Sequence, residues 1–75
     1  LLNLPAGSIG VVVRVIRESS DILHYLATLG LMPGVKVRVE EKAPFNGPVL
    51  VNVEGARYAL GREISSLIMV RRLQE

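Results

Sequence analysis

Few side chains in this sequence have the types and spacing that chemistry requires. His24 and Asp21 stand three residues apart, and Glu18 lies three residues before Asp21. On a helix the i, i+3 spacing brings side chains to one face, so Glu18, Asp21 and His24 make a geometrically possible oxygen–nitrogen metal site. Any amphipathic helix shows the same spacing on its wetted side. Ile22, Leu23, Leu26 and Ala27 lie on the opposite face and leave Asp21, His24 and Thr28 toward solvent, and spacing alone favours that plainer reading. Nucleophilic catalysis finds no support: there are five serines but no Gly-x-Ser-x-Gly elbow, and no cysteine. Gly30 and Gly34 lack the frame of a phosphate loop. Gly61-Arg62-Glu63 at a helix start could hold an anion on free backbone N–H groups, although such starts usually hold water or an acidic side chain. Tyr25, Phe45 and Tyr58 do not recur at strand spacing, so a base-stacking surface is weakly supported. The chain is not expected to be an enzyme; a binding domain is the better class.

Composition bounds what can position these residues. Seventy-five residues form one domain, 1–75, that buries about 60% of its extended surface, enough for a marginal core without staples. Apolar residues make up 49% and charged residues 21%, which argues against disorder. The apolar set is mostly Val, Leu and Ile with no Trp and one Phe, a balance suited to a β-rich core. No apolar run approaches the length of a membrane span and no signal peptide is visible, so a soluble cytoplasmic chain without membrane insertion is expected. The net charge of +2 comes from Arg14, Arg17, Lys36, Arg38, Lys42, Arg57, Arg62, Arg71 and Arg72, spread along the chain among seven acids. A nucleic-acid footprint needs basic residues on one face, so this dispersed charge reads first as solvation. A basic small barrel for nucleic acid stays as a third hypothesis.

Gly and Pro divide the sequence into short elements. Leu2, Leu4 and Pro5-Ala6-Gly7 lead into a β-branched run, Ile9 to Ile16, with apolar residues on both faces, as in a strand covered on two sides. Ser19-Ser20-Asp21 supplies helix-capping chemistry for a helix of about ten residues, which Gly30 closes with Leu31 folding back on it. After the Pro33-Gly34 turn, Val35, Val37 and Val39 alternate with Lys36, Arg38 and Glu40 in a half-buried strand. Residues 43–48 are a turn in which Asn46-Gly47 favours tight reversal. Val49, Val51 and Val53, then 56–60, continue as strands; 61–67 reads as a helical turn or two, and 68–73 as a closing strand. Such short strands and close turns give a mostly β small barrel of about five strands, with one inserted helix and a short C-terminal helical turn.

The stretch Ile22-Leu23-His24-Tyr25-Leu26-Ala27-Thr28-Leu29-Gly30-Leu31-Met32-Pro33-Gly34 resembles the "rL-x-x-LGL-x-PG" signature of FeoA-type SH3-like domains. Ala43-Pro44-Phe45-Asn46-Gly47-Pro48-Val49 is similar to their "aPf-x-GPv" hairpin, and Ala59 to Val70 to their "aLg-x-e-x-A-x-x-I-x-V" ending. The resemblance implies an SH3-like barrel. Such domains occur as free-standing FeoA proteins that accompany ferrous-iron transport, and behind the DNA-binding winged helix and metal-binding dimerisation domain of DtxR-type repressors. His24-Tyr25-Leu26 and the Pro44–Pro48 hairpin are closer to the repressor form. The missing initiator Met agrees with an excised domain. The resemblance therefore implies a C-terminal regulatory domain of an iron- or manganese-dependent repressor, a homodimer whose N-terminal domains bind DNA and Fe(II) or Mn(II). In that family the domain can lend a carboxylate and an amide to an ancillary metal site. Aligned on Pro33-Gly34, Ser19 and Ile22 occupy those positions and are unsuited to the task; Glu18 and Asp21 lie one residue earlier, and His24 could add an imidazole.

Overall fold

A computed structural model describes residues 1–16 and 19–73. Five strands form one antiparallel sheet: β1 (Ile9–Val15), β2 (Lys36–Lys42), β3 (Val49–Val53), β4 (Ala56–Leu60) and β5 (Ile68–Arg72), in the order β4-β3-β2-β1-β5. Helix α1 (Ser20–Thr28) joins β1 to β2, and the short α2 (Arg62–Ser65) precedes β5. The sheet order has two ends, so β4 and β5 remain edge strands, each five residues long.

Alternation explains the core. Val37 and Val39 of β2, and Val49, Val51 and Val53 of β3, all turn inward and are buried beside Val12, Leu60 and Ile68. Leu26 and Leu31 come in from the α1 side, and Leu1 and Leu4 from the leading segment. That segment is tied down through its backbone: the Leu1 nitrogen donates to the Ile68 carbonyl (2.6 Å), and the Lys42 side-chain Nζ donates to the Leu2 carbonyl (2.6 Å).

Helix α1 is bounded by its own sequence. The Ser19 hydroxyl accepts the Ile22 N–H at 3.2 Å, satisfying one orphan donor of the first turn. At the other end Gly30 (φ +82°) donates to the Ala27 carbonyl and Leu31 to the Leu26 carbonyl, the paired bonds of a Schellman motif. Gly34 (φ +92°) then occupies the position of a type II turn that needs positive φ, closed by Val35 N–H on the Met32 carbonyl at 3.1 Å.

Two local expectations fail. The first strand is not covered on both sides: a bulge shifts its register on β5 between Val12 and Arg14, and Val13 is left 53% exposed. The second strand keeps the expected alternation through Val39 and, in addition to it, continues to Lys42 past a register shift between Val39 and Glu41. In α1, Ala27 is exposed, only Leu26 is fully buried, and Ile22 packs against the core only in part.

Ser65 is fully buried, and its hydroxyl has no partner among the described residues. An unpaired buried hydroxyl costs more than it contributes, so Ser65→Ala is expected to stabilise the chain by on the order of 1 kcal/mol. Thermal unfolding should show Tm rising by roughly 4–8 °C; a fall would contradict the assignment.

Candidate functional site

Asp21 and His24 occupy the exposed side of α1, as their spacing requires, while Glu18 lies outside the described residues. No group of three His, Cys, Asp or Glu residues that could hold a metal occurs among the described residues. Fe(II) and Mn(II) favour larger oxygen- and nitrogen-rich ligand sets, so Asp21 and His24 alone do not fit a resident ion.

What α1 does build is a hollow. Leu23, Leu26 and Ala27 of the helix face Val15 of β1 and the Leu31-Met32-Pro33 segment around a depression of about 500 Å³. Arg14 and His24 also line it. The capping geometry is responsible: the Schellman turn at Gly30 swings the chain back so that Leu31 is buried and Met32 is left 52% exposed. A polarizable thioether among aliphatic walls, with a guanidinium and an imidazole for polar contact, suits an apolar side chain from a partner. Sequence reasoning placed Leu23 and Leu26 in the core and missed that the Leu31–Pro33 segment completes a concavity with them. The run of apolar residues around Met32-Pro33 was the available signal.

A second feature lies at the β2–β3 hairpin. Gly47 N–H donates to the Pro44 carbonyl at 3.1 Å, and Ala43 N–H to the Pro48 carbonyl at 3.0 Å. The two central residues are therefore Phe45 and Asn46, both at φ 58°, a type I′ turn one residue earlier than Asn46-Gly47 suggests. Gly47 is needed for a different reason, since a Cβ there would stand 2.8 Å from the Ala43 Cβ. Arg62 holds the loop, with Nε donating to the Gly47 carbonyl (2.9 Å) and Nη2 to the Ala43 carbonyl (3.0 Å). Phe45 is 99% exposed in a left-handed conformation that costs an ordinary residue about 1–2 kcal/mol. Asparagine tolerates that region, so Phe45→Asn is expected to raise stability by about 1 kcal/mol in urea unfolding; a loss of stability would show that the phenyl ring contributes to the fold.

A five-stranded antiparallel sheet with one helix between its first two strands and a helical turn before its last defines an SH3-like domain. Residues 1–72 match the FeoA domain, and the chain belongs to that family. The chain superimposes on an iron uptake regulatory protein, FeoA, at TM-score 0.86 and 32% identity, covering 95% of this chain and 92% of that one. It is similar to a manganese-dependent transcriptional repressor, solved with manganese, at TM-score 0.90 and 28% identity, but spans only 35% of that longer chain. It also resembles the zinc-complexed FeoA of Stenotrophomonas maltophilia, described as a prokaryotic SH3-domain protein possibly activating ferrous-iron transport, at TM-score 0.78 and 31% identity over 91% of this chain and 84% of that one. No curated protein sequence matches the chain. Among the described residues no helix is long and apolar enough to cross a membrane.

Proposed function

We propose that this chain is a non-catalytic regulatory domain of a bacterial iron- or manganese-dependent transcriptional repressor, acting in the cytoplasm. The observation that carries this reading is the preformed apolar hollow between α1 and the Leu31–Pro33 segment. It gives the domain a place to engage another part of its protein. Similarity to the manganese-dependent repressor supports the setting. DNA binding, dimerisation and the Fe(II) or Mn(II) sites belong to the neighbouring domains of the parent. Docking in the hollow differs between the DNA-competent and incompetent arrangements, and linkage converts that difference into altered metal-dependent DNA affinity. Glu18, Asp21 and His24 remain candidate ancillary donors, with any further ligands coming from elsewhere in the parent.

A second reading, a free-standing accessory protein of ferrous-iron transport, is supported by the match to 92% of the iron uptake regulatory protein. Deleting codons 1–72 from the chromosomal reading frame separates the two. The regulatory reading expects a changed metal threshold for repression of iron- or manganese-responsive genes. Loss of ferrous-iron uptake with repression unchanged would favour the transport reading instead.

A further inference from the structure

Strand register gathers charge that looks scattered in the sequence. Residues paired across neighbouring strands share a face, and the exposed Lys36 and Arg38 of β2 mark the outer one. Val11 of β1 lies between Lys36 and Arg71 of β5, while Ile9 lies beside Arg38. Arg14, opposite Met69 beyond the bulge, falls on the same side. A half-buried apolar stripe, Ile9 and Val11, therefore runs along β1 with basic side chains on both flanks. Arg57, on this face through its pairing with Asn52, differs from these because Glu40 holds it in an ion pair at 2.6 Å. Lys36, Arg38, Arg71 and Arg14 have no such pair among the described residues.

The geometry points to a docking surface for an amphipathic helix whose apolar seam is bordered on both sides by carboxylates. Lying along β1, the helix sets its seam on Ile9 and Val11, and its acidic borders meet Arg71 on one side and Lys36 and Arg38 on the other, with Arg14 of β1 beyond the bulge at the end of the stripe. The dimensions agree: β5 and β2 are separated by two strand spacings, about 9.5 Å, and a helix with its side chains is about 10–12 Å across. Charge complementarity selects the partner. A nucleic-acid duplex leaves the apolar stripe of Ile9 and Val11 uncovered, whereas the apolar seam of a helix covers it. This surface is distinct from the hollow beside α1, with only Arg14 touching both, and it holds for either reading of the domain's setting.

The test uses the isotope-labelled 75-residue chain and three probes: a synthetic helical peptide with a Leu seam bordered by Glu, the same peptide with Lys for Glu, and a short DNA duplex. The acidic peptide is expected to shift the amide signals of Val11, Lys36, Arg38 and Arg71 and to bind more weakly as salt rises. Lys36→Glu with Arg71→Glu should weaken it at least about tenfold. If that double variant loses its folded spectrum, Lys36→Gln with Arg71→Gln serves the same purpose. Equal binding of the Lys peptide or the duplex, perturbation confined to α1, or unchanged affinity in a folded variant would overturn the proposal.

Discussion

Leu26→Ala is expected to cost about 2–5 kcal/mol, the largest effect of any single truncation in the helix. A 75-residue domain has roughly 4–11 kcal/mol of stability in total, so much of the population would unfold near physiological temperature. The argument begins with the helix itself. Nine residues are too few to hold helical structure in water, so α1 persists only through the face it buries. Leu26 is the one fully buried residue on that face, at 1% exposure, and its carbonyl accepts the closing bonds from both Leu29 and Leu31. Ile22 and Leu23 are only half-buried and cannot take its place. Removing the isobutyl group leaves a cavity under the helix and loosens one wall of the hollow beside it. Urea unfolding should show a much lower midpoint with little change in slope, and Tyr25→Ala, at an exposed neighbouring position, should cost far less. A loss for Leu26→Ala no larger than for Tyr25→Ala would show that α1 does not depend on this anchor.

The contrast between Leu26 and Phe45 shows what the sequence could and could not convey. Short-range chemistry was legible. Ser19 caps α1, Gly30 ends it, and the Val37/Val39 alternation sets the inner face of β2, because each depends on residues within a few positions of one another. The order of such segments pointed to a small β barrel, and the resemblance of residues 22–34, 43–49 and 59–70 to FeoA-type domains implied that it is SH3-like. Features set by a residue inserted into a ladder were not legible: the bulge after Val12 and the shift after Val39 depend on the partner strand. The hairpin illustrates a subtler failure. Asn46-Gly47 is a strong signal for a two-residue turn, yet the turn centres on Phe45 and Asn46, with Gly47 placed where Ala43 leaves no room for a Cβ. The candidate site was legible only in part. Asp21 and His24 lie on the exposed face that their spacing required, but the hollow beside them needs Leu31–Pro33 to return across the helix. The basic flanks of Val11 needed the pairing of three strands, which turns distant positions such as 36 and 71 into neighbours.

Arg62→Met should destabilise the chain by about 2 kcal/mol, toward the lower part of the range for charged hydrogen bonds because the half-buried carbonyls it releases can partly rehydrate. The guanidinium is the only side chain bonded to Ala43 and Gly47 among the described residues, and it spans the base of the turn with two of its donors. The helix start at Gly61-Arg62-Glu63 offers backbone N–H groups, and nothing local in the sequence shows that the Arg62 side chain turns to the carbonyls of Ala43 and Gly47. Arg62→Lys should recover only part of the loss, since an ammonium is a compact point charge and cannot reproduce a planar fork across two acceptors. The strained turn supplies a sharper test. If Arg62 is what holds Phe45 in the left-handed region, relieving that strain with Phe45→Asn should make the Arg62→Met loss smaller than in the parent chain. The double-mutant cycle would then show a coupling of at least about 0.5 kcal/mol, the level at which neighbouring residues depart from additivity. Strict additivity would mean that the turn keeps its shape without the clamp, and Arg62 would be reduced to a local contact between α2 and the hairpin base.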